Sequence, residues 1–185
     1  MNITVYLASE YGNDGSFTDS VRQFGEWMGR KGHRLIYGGS KRGLMGELAE
    51  SVLKSGGSVI GVEPEMFVNV GLLYDEIDEL IVTKDIVERR RKMIELGEAF
   101  IAFPGGTGTL EEISEIISMV ALRQLHAPCI LCNLNGYYDD LQRLFEKMID
   151  SGLSSKEKLA GVRFAGSTEE AVRIIESAPK NPEIR

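Results

Sequence analysis

Short apolar runs alternate with longer amphipathic segments along most of the chain. The runs are rich in aliphatic and β-branched residues, which is typical of strands buried on both faces. They lie at Ile3–Leu7, Arg34–Tyr37, Ser58–Val62, Leu80–Val82, Ala99–Phe103 and Cys129–Asn133. The segments between them place apolar residues at helical spacing and cover residues 17–31, 43–55, 85–97, 109–123 and 138–151.

This order of elements predicts the fold class and the domain organisation. Strands that each lead into a helix predict an α/β protein with a Rossmann-like, doubly wound parallel sheet and helices on both faces. Since no Pro-, Gly- or Ser-rich linker divides the chain, residues 1–176 are predicted to form a single domain. Residues 177–185 carry Pro179, Pro182 and mixed charge, and we expect them to form a flexible C-terminal tail.

Composition narrows the classes of partner. The chain has 185 residues, of which 43% are hydrophobic and 26% charged, and its formal net charge is −7. That balance argues against a nucleic-acid or anionic-membrane surface, because such surfaces gain affinity from an excess of Lys and Arg. No membrane span or secretory leader is recognisable, so a cytoplasmic location is expected. An anionic ligand must therefore be held by a local site.

The two cysteines, Cys129 and Cys132, have the spacing of a redox or metal motif. Residues three apart on a strand point to opposite faces of the sheet, and both cysteines fall on a predicted strand. We therefore expect buried, reduced core residues.

Two glycine turns each follow a predicted strand and precede a predicted helix. The first contains Gly38, Gly39 and Ser40, and the second runs from Pro104 through Gly105, Gly106, Thr107, Gly108 and Thr109. Glycines let backbone N–H groups approach an anion, and a helix N-terminus supplies unpaired donors. Neither turn matches the dinucleotide or P-loop fingerprint. They are either tight structural turns or sites for a phosphate ester, and two pairs at equivalent strand ends favour phosphate.

Glu112 allows two interpretations. Thr109 and Glu112 have the spacing of a capping box, in which the glutamate bonds back to the start of its helix. A carboxylate beside a phosphate site would however repel the anion, and its presence is easier to explain if it activates water or stabilises a developing cation.

Arg89 and Arg90 fall inside the apolar arc of their predicted helix. At 100° per residue, Ile86, Val87, Met93, Ile94, Leu96 and Gly97 span about half the circumference of the helix, and both arginines lie among them. Because an unpaired buried charge is costly, the arginines either extend to the edge of the stripe, or pair with core carboxylates, or face a cleft that holds an anion. Since the next strand runs into the second glycine turn, Arg89 and Glu112 are expected to meet.

These residues together resemble the LOG ("lonely guy") family of cytokinin riboside 5′-monophosphate phosphoribohydrolases, often labelled lysine decarboxylases. The motifs that carry the resemblance are Arg89-Arg90, the segment from Phe100 to Glu112 with its PGGxGTxxE pattern, and the segment from Tyr37 to Gly46. The similarity extends from about Ile3 to Met148 and includes Asn135–Tyr138.

The resemblance implies a homodimer that cleaves a purine nucleoside 5′-monophosphate, typically an N6-substituted AMP, into free base and ribose 5-phosphate. By position it implies that Arg89 and Glu112 are catalytic, that Gly105 to Thr109 hold the phosphate, and that Arg90, Gly38, Gly39, Ser40 and Ser118 assist substrate binding. No metal and no cofactor are implied. The chain departs from the family pattern at Ser40, at Val87, at Glu63 where an apolar residue is usual, and over residues 65–74.

Two other functions remain open at this stage. A non-catalytic nucleotide-binding or carrier protein could use the same fold, because fold alone does not grant activity. A decarboxylase would need a lysine placed for a pyridoxal Schiff base, and no lysine has such a setting in the sequence.

Overall fold

Strands and helices alternate in the computed structural model, which describes residues 1–68, 74, 76–178 and 183–184. The strands are β1 (Asn2–Tyr6), β2 (Arg34–Tyr37), β3 (Ser58–Pro64), β4 (Glu79–Thr83), β5 (Ala99–Ala102), β6 (Leu125–His126), β7 (Cys129–Cys132), β8 (Val162–Ala165) and β9 (Glu183–Ile184). The helices are α1 (Gly15–Arg30), α2 (Gly43–Lys54), α3 (Glu65–Val68), α4 (Ile86–Leu96), α5 (Thr107–Ala121), α6 (Asp139–Asp150), α7 (Lys156–Leu159) and α8 (Thr168–Ser177). A 3₁₀ turn covers Leu134–Gly136.

A seven-stranded sheet has the order β4-β3-β2-β1-β5-β7-β8, and its neighbours pair in parallel. The central strand β1 sets the register, since Thr4 lies opposite Ile36 of β2 and Phe100 of β5. From β1 the chain winds outward first toward β4 and then, after β5, toward β8. The predicted doubly wound parallel sheet is thus confirmed, and its topological switch point lies between β1 and β5.

Apolar side chains form one core on each face of the sheet. Neighbouring strand residues alternate between the two cores, as Ile101 does with Phe100 and Ala102. The first core buries apolar residues of α1, α2 and α8, and the second buries those of α4 and α5, with partly buried residues of α6 packed against it. Helices therefore cover both faces, as the alternation of elements predicted.

Local capping fixes the start of α4, the helix that carries the two arginines. The Asp85 side chain accepts a hydrogen bond from the Glu88 N–H at 2.8 Å, and the Glu88 side chain accepts one from the Lys84 N–H at 2.7 Å. Such reciprocal bonds satisfy donors that the first helical turn leaves unpaired. Arg89 consequently lies one turn into the helix, above the carboxyl ends of the strands.

The C-terminal part of the chain contains elements that the hydrophobic pattern did not reveal. Strand β8 and helix α8 complete the sheet and the first core, and Ser167 caps α8 by accepting from the Glu170 N–H at 3.2 Å. Within the segment predicted as a tail, β9 pairs antiparallel with β6. The boundary at residue 176 itself stays a prediction.

No helix in the described part of the chain combines the length and the apolar composition needed to cross a membrane.

The two cysteines lie on β7 and are buried as free thiols. Cys129 belongs to the second core and Cys132 to the first, so the side chains point to opposite faces of the sheet as expected. Burial raises the pKa of the Cys129 thiol to about 12 and raises that of Cys132 as well.

Both thiols should therefore resist modification in the folded protein, because a thiolate at an accessible site is required for reaction. We expect a disulfide reagent at pH 8 to titrate fewer than one thiol per chain in native buffer and both thiols in 6 M guanidinium chloride. Rapid reaction of either cysteine without denaturant would contradict the buried placement.

Candidate active site

A cavity of about 400 Å³ opens where β1 and β5 end, at the switch point of the sheet. Open parallel sheets bind their ligands at this place because the two loops that follow neighbouring strands diverge there. The cavity is lined by Leu7, Ala8, Ser9, Glu10, Met45, Arg89, Gly106, Thr107, Gly108, Thr109 and Glu112.

The second glycine turn forms one wall of the cavity as the N-terminus of α5. Gly106 is the cap residue, and the helical hydrogen bonds begin with the Leu110 N–H, which donates to the Gly106 carbonyl at 3.1 Å. The N–H groups of residues 107–109 have no partner inside the helix, and the helix dipole adds positive potential there. A Cβ at Gly105 would overlap the Thr109 side chain, so only glycine lets the turn close in this way.

The capping-box interpretation of Glu112 is wrong. Helix α5 begins at Thr107, so Thr109 is its third residue and cannot be its cap. Glu112 is instead buried, and its Oε1 lies 2.6 Å from Arg89 Nη1. The fractional exposures of the two side chains are 8% for Glu112 and 14% for Arg89. The expected meeting of these two residues is confirmed.

Arg89 reaches over the top of the sheet and makes a second hydrogen bond there. Its Nε donates to the carbonyl oxygen of Val62 on β3 at 2.9 Å. Burial raises the pKa of Glu112, and the neighbouring Arg89 guanidinium opposes that increase by charge and by hydrogen bonding. The guanidinium is thus held by α5 on one side and by β3 on the other.

The first glycine turn supports Arg89 and lies outside the lining of the cavity. A Cβ on Gly38 would occupy the position of Arg89 Nη2, so a larger residue would displace the guanidinium. Gly39 has a φ of +81°, which favours glycine, and the Ser40 hydroxyl accepts from the Arg42 N–H at 3.2 Å. Direct ligand contact by Gly38, Gly39 or Ser40 stays a prediction.

Arg90 forms ion pairs with two exposed acidic residues of α5. Its Nη1 contacts Glu111 and its Nε contacts Glu115 at 3.0 Å. Since Arg89 and Arg90 both pair with glutamates of α5, the negative charge beside the helix N-terminus is partly neutralised. Neither Arg90 nor Ser118 lines the cavity, and the Ser118 hydroxyl donates to the Ser114 carbonyl. Their proposed substrate contacts stay predictions.

Sequence reasoning missed several residues of this region. Ser9, Glu10 and Met45 line the cavity, and Glu63 lies buried at the end of β3. The signal for Ser9 and Glu10 was available, because they follow the first strand directly and the carboxyl end of a central strand is a ligand position. Glu63 departs from the family pattern, which has an apolar residue there, but the sequence alone gives it no role.

Among the described residues, no group of three His, Cys, Asp or Glu side chains could hold a metal ion. No lysine is found among the described residues that line the cavity.

The chain is thus an α/β protein with an open helix N-terminus beside a buried glutamate–arginine pair at the switch point of a parallel sheet, a place where such proteins commonly bind small phosphorylated ligands. The family described as "Possible lysine decarboxylase" matches residues 45–175.

Relatives cover nearly the whole chain. The cytokinin riboside 5′-monophosphate phosphoribohydrolase of Rhodococcoides fascians is 36% identical over 177 residues, which are 95% of this chain and 89% of the relative. The enzyme of the same name from Arabidopsis thaliana is 33% identical over 94% of this chain and 82% of its own. The chain belongs to this LOG family of phosphoribohydrolases.

Solved structures share the fold. The molybdenum cofactor binding protein of Rippkaea orientalis is 26% identical, with a TM-score of 0.70 over 95% of each chain. The molybdenum cofactor carrier protein of Chlamydomonas reinhardtii is 21% identical, with a TM-score of 0.70 over 95% of this chain and 94% of its own.

Burial of Glu112 beside Arg89 should make the stability of the folded protein depend on pH. Because the pKa of Glu112 is raised in the folded state, the folded protein holds that proton more tightly than the unfolded chain does. The free energy of unfolding therefore falls as pH rises above the ordinary carboxyl pKa. Arg89→Ala leaves the buried carboxylate without its partner, and we expect a loss of about 3 kcal/mol at pH 8 and a smaller loss at pH 5.

Urea unfolding at both pH values measures this loss. Arg91→Ala is the matched control, since Arg91 is 69% exposed and its ion pairs on α4 are 3.8 and 3.9 Å long. We expect little change from it at either pH. Equal losses for Arg89→Ala at pH 5 and pH 8 would show that Glu112 does not titrate as described.

Proposed function

We propose that this chain hydrolyses the N-glycosidic bond of a purine nucleoside 5′-monophosphate, with N6-substituted AMP as the preferred substrate class. The products are the free base and ribose 5-phosphate. The observation that carries the proposal is the buried pair of Glu112 and Arg89, 2.6 Å apart, beside an open helix N-terminus in one cavity. The names of the relatives give the substrate class.

The phosphate binds at the N-terminus of α5. The backbone N–H groups of residues 107–109 and the Thr107 and Thr109 hydroxyls supply donors, and Gly105 and Gly106 allow the phosphate to approach the backbone. Arg90 contributes by neutralising Glu111 and Glu115 close to the phosphate. The sugar then extends toward Glu112, which lies one helical turn farther along α5.

Glu112 acts on the ribose carbon that bears the base. As the bond from that carbon to the base nitrogen breaks, positive charge develops on the ribose, and a buried carboxylate stabilises such an oxocarbenium-like state. The same carboxylate orients the attacking water, whose hydroxyl group is added to the ribose carbon while its other proton goes to the departing base.

Arg89 positions the reacting groups and stabilises negative charge, but it does not transfer a proton. A guanidinium group keeps its proton at neutral pH and is therefore a poor general acid. Held by Val62 and Glu112, its guanidinium keeps the carboxylate in one orientation and offers Nη2 to the ribose phosphate or to the base. Gly38, Gly39 and Ser40 form the turn against which Arg89 packs. Ser118, which lies on the same helix as Glu112, is proposed to contact the substrate.

A carrier protein is the second candidate function. The likeness to a molybdenum cofactor binding protein at 26% identity favours it, because a phosphorylated ligand could be held in the same cavity without being cleaved. A decarboxylase receives no support from the cavity, which has no lysine in its lining.

The function is tested by measuring base release from AMP and isopentenyl-AMP. We expect hydrolysis of both by the wild type, and Glu112→Gln should lower kcat at least about 1000-fold because it removes the stabilising charge but keeps the shape. Glu95→Gln, an exposed change on α4, is the matched control and should leave kcat unchanged. Adenosine, which lacks the phosphate, should be a far poorer substrate.

Two results would contradict this function. Tight AMP binding without base release from either nucleotide would leave the carrier as the better description. Equal rates for wild type and Glu112→Gln would remove the proposed role of the carboxylate.

We also propose that the protein is a homodimer in the cytoplasm. Large apolar side chains are exposed on α3, on the edge strand β4 and at the start of α4: Met66, Phe67, Leu80, Val82, Ile86 and Val87. The helical arc that placed Ile86 and Val87 in the core was thus too wide, since both are exposed. A second copy that covers this surface would remove it from water. Two buried, reduced thiols suit a reducing compartment.

The dimer is tested by light scattering of the wild type and two variants. Val87 is 66% exposed within the apolar surface, and Val87→Asp should convert a dimer into a monomer of 20.5 kDa. Leu153→Asp, at a residue 81% exposed after α6, should leave the dimer intact. A monomeric wild type, or dimers in all three proteins, would contradict this assignment of the interface.

A further inference from the structure

Glu63 is a buried carboxyl group that the proposed mechanism does not use. It lies near the end of β3, directly after Val62, and only 7% of its surface is exposed. Acidic residues are rarely buried to this degree unless they are paired or protonated. Glu63 directly follows Val62, whose carbonyl holds Arg89, so its burial next to that arginine needs a physical explanation.

The first glycine turn brings Glu63 close to Arg89. A Cβ on Gly39 would lie 3.4 Å from Glu63 Oε2, and a Cβ on Gly38 would overlap Arg89 Nη2. The backbone carbonyl that precedes Glu63 accepts the hydrogen bond from Arg89 Nε at 2.9 Å. The guanidinium thus lies between Glu112 on α5 and the turn against which Glu63 packs.

We propose that Glu63 is a positioning residue that acts through Arg89: its neutral carboxyl group leaves the charge of Arg89 available to the substrate phosphate, and its ionised form weakens substrate binding. This inference rests on the proposed function, since it assigns the substrate anion to the same cavity.

Counting charges gives the direction of the effect. Arg89 and ionised Glu112 sum to zero, whereas an ionised Glu63 would bring the three groups to −1 beside a doubly charged phosphate. At short range inside a protein such a difference is worth more than it is in water. The neutral form of Glu63 is therefore the form that favours binding of the anion.

The surroundings of Glu63 place its titration near neutrality. Burial raises the pKa of Glu63 to about 7, Arg89 opposes the increase and Glu112 adds to it. Among the described residues, the buried Tyr37 hydroxyl on β2 also senses Glu63, and the Tyr74 N–H donates to the Gly39 carbonyl. Burial raises the pKa of both tyrosines, so both stay neutral throughout this range. From β4, Leu80 contributes an apolar side chain near Gly39, and the Thr83 hydroxyl contacts the backbone carbonyls of Glu63 and Asp85.

The test compares the wild type with Glu63→Gln, which fixes a neutral side chain of the same shape. The dissociation constant of AMP, measured by calorimetry, and KM and kcat are followed from pH 5.5 to pH 8.5. We expect the wild-type dissociation constant and KM to rise above pH 7, to about tenfold those of Glu63→Gln at pH 8.5, with similar kcat values. The titration of the substrate phosphate near pH 6 affects both proteins and cancels in the ratio.

Glu65→Gln is the matched control, because it removes the same charge from an exposed position two residues away. It should follow the wild-type pH profile. A second measurement needs no variant: carbon-13 NMR of the Glu63 carboxyl group in the wild type should show its pKa rising when AMP binds, by linkage.

Parallel pH profiles for wild type and Glu63→Gln, or a Glu63 titration that AMP does not change, would overturn the inference. AMP binding that weakens above pH 7 only in proteins with Glu63, but without base release, would support the inference and remove the hydrolase function. Failure of AMP to bind at any pH would overturn both.

Discussion

The ion pair between Arg89 and Glu112 is the constraint on which the site depends. A buried carboxylate is costly unless a cation and hydrogen-bond donors meet it, and a buried guanidinium is equally costly alone. Each residue is therefore acceptable only where the other is, and α4 and α5 must approach each other above the sheet. Arg89 also donates to the Val62 carbonyl and fills the space that Gly38 leaves. The ion pair therefore constrains the positions of β3 and of the turn between β2 and α2 as well.

The same pairing resolves a conflict in electrostatics. Helix α5 opens with free N–H groups suited to a phosphate, yet it carries Glu111, Glu112 and Glu115 within its first turns. The two arginines of α4 pair with these carboxylates, so that the N-terminus keeps its attraction for an anion. Binding and bond cleavage can then occupy neighbouring positions on one helix. In the proposed role of Glu63 this balance extends to a third carboxyl group beside Arg89, whose neutral form favours an anionic ligand.

Local patterns predicted much of the fold and the centre of the site. Apolar runs and helical periodicity located the first six strands of the sheet and five principal helices, because each depends mainly on nearby residues. Arg89 and Glu112 could be paired in advance, since the strand between their helices leads straight into the glycine turn. Where α5 begins could not be read from the Thr109–Glu112 spacing, because Gly106 caps the helix without any side-chain hydrogen bond. Ile86 and Val87 satisfied the helical arc, yet both lie in the first turn of α4 and are exposed.

By itself the sequence determined the alternation of strands and helices, the two glycine turns and the need for partners to two arginines on an apolar stripe. These follow from backbone geometry and from the cost of burying charge. The tertiary structure decided which carboxylate each arginine meets, that Ser9, Glu10 and Met45 face the ligand cavity, and that Glu63 lies against the support of Arg89. Such facts depend on the order of strands in the sheet, which brings residues distant in sequence within hydrogen-bonding distance.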